Sequence, residues 1–229
     1  MPSAHAIVGA DPALAAGIGA RRGRRWAVRS ASFRVGAPLP GRSALGIQVG
    51  SAAEASVLID MLAGVVRPAY GELRVLGQDM ASARGRAAVR RRVGVARRAA
   101  RQPPGIRIRG LVEHAARLAV PDSGDRRLLA AGILDRLALS PWAEVSVRLA
   151  PDAIARRARL AAAAVHQPEL LLLDGLLDEL SRRDAAVLAE HVRDLGRDCG
   201  VVVAGCDYGA LALACDDIMT MVDGVLVSG

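Results

Sequence analysis

The chain has 229 residues, 52% hydrophobic and 24% charged, with a net charge of +8. That composition supplies a core for one or two domains and excludes a disordered chain. All 31 basic residues are arginine and lysine is absent, so any chemistry that needs an ammonium group is excluded.

Aromatics are only 2% of the residues, too few for a platform that stacks single-stranded bases. The sequence pI of about 10.9 suits anionic partners, whether an acidic protein, a membrane face or nucleic acid. Residues 1–20, rich in Ala, Gly and Pro, are expected to be loosely ordered. Arg21, Arg22, Gly23, Arg24 and Arg25 form a basic turn, and 28–35 alternates as a strand. Pro38 to Gly41 break the chain before an apolar strand at 44–49. Val57, Leu58, Met61 and Leu62 then share one helical face, which stops at Gly64 with Pro68 beyond. Strands follow at 73–76 and 93–95. From about 97 to 150 the pattern turns helical and predicts a helical subdomain.

Residues 152–166 predict a further helix, rich in Ala and Arg. Leu170, Leu171, Leu172 and Leu173 run unbroken into Asp174, the pattern of a central parallel strand with a carboxylate at its C-terminal edge. A helix over 182–197 and a buried strand over 200–204 come next. Asp223-Gly224 between apolar runs predicts a terminal hairpin. Alternation of strands and helices makes the fold class α/β. Cys199, Cys206 and Cys215 lack zinc-site spacing and fit a reduced thiol set. Cys206 is expected to be a small buried residue. The N-terminal apolar stretch precedes its arginines, the wrong order for an export signal, and no uncharged run reaches membrane-span length. A cytoplasmic protein is expected, with any membrane contact peripheral.

Taken together, these landmarks resemble the nucleotide-binding domain of ABC transporters over about residues 17–229. The stretch from Gly50 through Leu62-Ala63-Gly64, Arg67-Pro68 and Gly71-Glu72 to Gly77-Gln78-Asp79 is similar to the Walker A helix and the segment after it. Arg156 to Leu160, leading through His166-Gln167-Pro168-Glu169 to Asp174, resembles the helix after the signature motif and Walker B. Val201 to Asp207 is similar to the switch strand and loop, and Met221 to Val227 to the terminal hairpin. The resemblance implies a P-loop NTPase-like ABC ATPase fold. That fold has a central, mostly parallel sheet, an N-terminal antiparallel β part and a helical subdomain, all in one domain over 21–229.

It also implies a nucleotide site on Gly50, Ser51, Ala52, Ala53, Ala55, Ser56, Val57 and Asp174, in vestigial form. Such a loop holds phosphates with backbone N–H groups, glycines and a lysine. Counting back from Leu62-Ala63-Gly64, Ala55 takes the lysine position, Glu54 the preceding glycine and Ser56 the metal-binding serine. Counting from Gly50, Ser56 takes the lysine position; neither register supplies the cation. As a plain helix N-terminus, the same loop is served well by Glu54 beside the helix dipole. The adenine-stacking aromatic falls at Arg22, with Trp26 nearby, and the Q-loop glutamine at Arg98. Leu149-Ala150-Pro151-Asp152-Ala153-Ile154 replaces the signature, with Pro151 as a first helical residue. The glutamate after Walker B is Gly175, the D-loop pair is Leu180-Ser181, and the switch histidine is Cys206, with Asp207 retained.

A lost charge-assisted hydrogen bond of about 1.5–3 kcal/mol, with backbone strain of roughly 1–2 kcal/mol and the Glu54 charge, weakens nucleotide binding on the order of a thousandfold. No catalytic residue and no metal ligand is therefore assigned, and ATP with Mg is expected to bind weakly or not at all. The resemblance implies a membrane permease subunit and another ABC ATPase domain, in a homo- or heterodimer, as partners at the inner face of the plasma membrane. Since each signature serves the opposite P-loop, loss of both favours a scaffold over a one-sided helper. Two rival readings are a divergent active transport ATPase and an arginine-rich binder of nucleic acid or acidic protein, with the arginines of 89–92 and 97–101 as its surface. Nucleic acid is the less favoured partner.

Overall fold

The computed structural model describes residues 13–23, 25–35, 44–100, 102–120 and 122–228. Their order is β1 (Ala13–Arg22), β2 (Arg25–Val35), β3 (Ala44–Gln48), α1 (Ala52–Leu62), β4 (Tyr70–Val75), β5 (Gln78–Asp79), α2 (Ala83–Val89) and β6 (Val93–Arg97). Then come α3 (Ile108–Ala119), α4 (Ser123–Arg136), a 3-10 turn at Ser140–Trp142, α5 (Asp152–Ala164), β7 (Leu170–Asp174), α6 (Arg182–Leu195), β8 (Gly200–Gly205), α7 (Tyr208–Ala214), β9 (Asp217–Val222) and β10 (Val225–Ser228).

The strands lie in the order β5-β4-β1-β2-β10-β9-β3-β8-β7-β6. β9, β3, β8, β7 and β6 pair in parallel, while β1, β2, β4 and β5 pair antiparallel. The fold is thus α/β, with a parallel centre and an N-terminal antiparallel part. β7 and β8 are buried throughout. Leu171, Leu173, Val201 and Val203 face one core, and Leu170, Leu172, Val202 and Ala204 face the other. Strict alternation between two apolar layers explains why these strands read as unbroken hydrophobic runs.

α1 sits in the second core with the antiparallel strands. Ala55, Val57, Leu58, Ile59, Met61 and Leu62 are all buried, so it is covered on most of its circumference. The helical pattern expected over 97–150 becomes α3, α4 and the 3-10 turn. Ile108, Val112 and Ala116 recur every four residues and pack into the first core with Leu134 of α4 and Ala158 and Leu160 of α5. Arg107 and Arg109 both bind Glu144, at 2.8 and 2.7 Å, and tie the start of α3 to the turn.

Residues 13–20 differ from expectation. They are not loose but form most of β1, between β2 and β4; residues 1–12 lie outside the described residues. Ala13, Ala15, Ile18 and Ala20 supply the buried side. Small side chains gave the alternation little hydropathy contrast, and a register shift near Gly17 interrupts it. The closeness of β1 and β4 there needs glycine, since a Cβ on Gly71 would stand 2.4 Å from the Gly17 carbonyl oxygen. Helices α2 and α7 were not legible as such. Both are short, with only two and three buried residues respectively.

His166, after α5, is half-buried. Burial pushes its imidazole below the usual histidine range, offset in part by a hydrogen bond with the Val93 backbone. His191 is lowered by burial and by the Arg157 charge. The folded state keeps both neutral while the unfolded chain takes up protons below about pH 6.5. Unfolding therefore binds protons, and stability falls as pH drops from about 6.5 towards the folded values. The thermal midpoint should be flat from about pH 7 to 8 and decline below about 6.5. His166→Gln should make that decline shallower, and adding His191→Gln shallower still; an unchanged slope in the double variant would refute the assignment.

Candidate functional site

The C-terminal ends of β3, β8, β7 and β6 meet in one row. Gln48 lies opposite Gly205, Ala204 opposite Asp174, and Asp174 opposite Arg97. The loop after β3 enters α1 through Ser51. The Ser51 hydroxyl accepts the Glu54 N–H at 3.3 Å, and the Glu54 carboxylate accepts the Gly50 N–H at 2.9 Å. This is a capping box shifted by one residue at its return bond. Of the eight residues assigned to the loop site and strand end, Ala55 and Val57 turn into the core, and Ala52 is exposed.

Ser56 meets the strand-end acid. Its hydroxyl donates to Asp174 Oδ2 at 2.9 Å, and Ala55 precedes it with its side chain in the core. Asp174 is only 7% exposed. The same Oδ2 also accepts from Arg97 Nη1 at 2.7 Å, and Arg97 Nη2 donates to Asp60 Oδ1 at 2.5 Å. Asp60 follows Ser56 by four residues on α1, so both project from one helical face. Arg97 and Asp60 were missed as site residues. The legible signal was an acid among the apolar positions of α1 and an arginine closing an apolar strand.

Beyond Asp174, Gly175 takes a left-handed φ of +60°. Its N–H donates to the Ala204 carbonyl at 2.8 Å. Asp178, 5% exposed, accepts the N–H groups of Cys206 and Asp207 at 2.9 and 3.2 Å and so binds the loop after β8. Arg98 pairs bidentately with Glu179, which raises its guanidinium pKa and lowers that of the Glu179 carboxyl. Cys206 is exposed, contrary to expectation, because it follows the end of β8 where the chain leaves the sheet. Partial burial pushes its thiol up, with Asp178 and Glu54 adding to the shift. It is therefore a weak nucleophile at neutral pH.

The segment before α5 ends at Pro151, which caps the helix rather than entering it and makes no side-chain cap bond. Asp152 instead receives Arg156, at 2.8 and 2.5 Å. Arg156 is 3% exposed and also donates to the carbonyls of Leu176 and Asp178 at 3.1 and 2.5 Å. It fixes the loop after β7 from below. Trp26 is engaged by Tyr70, edge to face at 5.3 Å, and by the Arg21 guanidinium 4.2 Å above its ring. The side chain of Arg22 lies outside the described residues.

The arginines of 89–92 and 97–101 are largely used within the chain. Arg90 binds the Gly64 carbonyl, Arg92 grips Glu169 at 2.6 and 2.7 Å, and Arg97 and Arg98 are paired as above; Arg101 lies outside the described residues. What remains basic is a cleft of about 640 Å³ between β6, α3 and α5. Arg91, Arg159, His114 and His166 line it, with Val65 and Leu118 exposed alongside and no acidic residue among its described lining residues. Arg159 Nε and Nη1 are buried there without a hydrogen-bond partner, and burial lowers the Arg159 pKa. Among the described residues no cluster of three or more His, Cys, Asp or Glu is placed to hold a metal, and no helix is long and apolar enough to cross a membrane.

The ABC transporter family model matches residues 53–177, from the first turn of α1 to the turn after β7. The chain is 33% identical over 158 residues to the aliphatic sulfonates import ATP-binding protein SsuB 2 of Paracoccus denitrificans, covering 67% of this chain and 62% of that one. It thus spans less than two thirds of that relative's length. It is 25% identical over 174 residues to the molybdate/tungstate import ATP-binding protein WtpC of Archaeoglobus fulgidus, covering 75% of this chain and 70% of the relative. Its fold matches the solved structure of cbiO1 from Clostridium perfringens, described as part of the ABC transporter complex cbiONQ. The TM-score is 0.82 over 95% of this chain and 87% of that one, at 15% identity. By the span of the family match, more than half of its length, the chain belongs to the ABC transporter family as a domain of its ATP-binding type.

Proposed function

We propose that this chain is an ATP-binding-type subunit of an ABC transporter that contributes structure and regulation rather than hydrolysis. It would sit beside a membrane permease at the cytoplasmic face and pair with a second ABC ATPase domain. Both curated relatives are named as import ATP-binding proteins, which supports the transport setting. The observation that carries the loss of hydrolysis is the pair of positions flanking the reaction. Hydrolysis needs a group to orient the attacking water and positive charge on the transferring phosphoryl. Gly175 has no side chain to orient water, and Ala55 has none to carry charge. The loop N–H of Gly50 already serves Glu54. These residues do not fit hydrolysis of a nucleotide–magnesium complex.

The cleft beside β6 supports a protein partner. It offers Leu118 and Val65 as exposed apolar contact beside the Arg91 side chain, with no acid among its described lining residues. Arg90, Arg92, Arg97 and Arg98, already spent on internal carboxylates and carbonyls, weigh against a nucleic-acid surface there.

With purified chain at high ATP, single-turnover phosphate release should not exceed that of buffer. Release that is abolished by Asp174→Ala would overturn the proposal. Gly175→Glu alone should restore nothing, since a side chain at a left-handed φ costs about 1–2 kcal/mol and the charge at position 55 is still missing. Co-purification with a membrane permease partner should drop about tenfold or more in Leu118→Glu and Arg91→Glu. Undiminished recovery in both would place the partner elsewhere.

A further inference from the structure

Three oxygen-bearing side chains converge at the end of β7. Ser56 and Asp60 come from one face of α1, and Asp174 from the strand. Two carboxylates and a hydroxyl make a donor set suited to a hard divalent cation. A guanidinium stands there instead. Arg97 spans the two acids with its planar fork, Nη1 on Asp174 at 2.7 Å and Nη2 on Asp60 at 2.5 Å. The arrangement is not an accident of a mobile surface arginine. The register of β6 against β7 sets Arg97 opposite Asp174, and its side chain is only 30% exposed, against 8% for Asp174 and 26% for Asp60. A few residues away, the Glu54 carboxylate takes the Gly50 N–H at the entry to α1, where an anion would otherwise be held.

We infer that the pocket is occupied by the chain itself. Arg97 is the built-in counter-cation of Asp174 and Asp60, in the place of a divalent metal, and Glu54 is the built-in anion of the loop. The fold is then complete with neither metal nor nucleotide. This rests on the site used for the functional proposal but is a separate statement. A pocket that lacked only its catalytic glutamate would still take up nucleotide with metal, whereas a self-occupied pocket excludes both.

Removal of the guanidinium should expose the donor set. Two carboxylates and a hydroxyl, suddenly without a cation, become a divalent site of their own. Mn²⁺ is the probe, read by the loss of its free paramagnetic signal and by the thermal midpoint. The wild-type chain should bind no Mn²⁺ and show the same midpoint in EDTA, in Mn²⁺ and in Mg²⁺ with ATP. Arg97→Ala should melt lower in EDTA, bind Mn²⁺, and gain about 5 °C or more when the ion is near a hundredfold excess over its Kd. Adding Asp174→Asn should remove both the binding and the gain. If Arg97→Ala is recovered unfolded, Arg97→Gln takes its place in the same titration, since it retains hydrogen bonding but no charge.

Wild-type chain that binds Mn²⁺ as tightly as the variant would overturn the inference, as would a folded Arg97 variant that binds none. Wild-type chain that is stabilised by Mg²⁺ with ATP but releases no phosphate would overturn it too, while leaving the functional proposal intact. Phosphate release would strike the functional proposal first.

Discussion

An almost buried carboxylate at the end of a central strand must find a partner, and here the partner is fixed by strand register. Asp174 leaves β7 where both faces are apolar, so its charge has little water to meet. An unpaired charge in such a place is costly enough to govern its neighbourhood. β6 lies beside β7 in parallel and presents Arg97 at the matching position. Ser56 and Asp60 of α1 close the arrangement from above. Helix, central strand and edge strand are thus held at one point, and the loop between β3 and α1 takes its conformation from the same anchorage.

Loops on the other side of Asp174 follow the same logic. Asp178 ties the end of β8 to the turn after β7 through two backbone N–H groups. Arg156 reaches up from α5 to the carbonyls of that turn and is itself held by Asp152. The charges of Asp178, Arg156 and Asp152 are used in bracing loops. Gly175 fits this bracing, since its positive φ lets the chain bend between Asp174 and Asp178 without a side chain in the way. The architecture of the family persists, and the polar groups at its strand ends hold the chain together.

The parallel centre was legible because it obeys strong rules. A run of four leucines ending in Asp174 has few other readings, and Gly64 with Pro68 punctuates α1 clearly. β1 was hidden because its buried face is built from alanines, which carry little contrast against the glycines beside them. In the site, Ser56 and Asp174 are legible from the sequence, but their meeting is not, since it is a contact between residues 118 positions apart. Arg97 was read as part of a basic run. Its role depends on which strand lies next to β7, a long-range pairing that no local pattern encodes. Cys206 was misplaced for a related reason, since a small residue after a buried strand reads as core until the chain's exit is known.

The cleft beside β6 carries a positive field of an unusual kind. Its permanent cations are all guanidinium groups, because the chain has no lysine. Arginine stays charged throughout the biological pH range. Burial holds His166 in its neutral form, so it adds little above mildly acidic conditions. The field is therefore close to permanent, and a change of pH does not switch it off. Ionic strength acts instead, by shortening the reach of the field to about 8 Å under physiological salt. An anionic segment beyond that distance is largely screened from the field, and one within it is drawn towards the cleft.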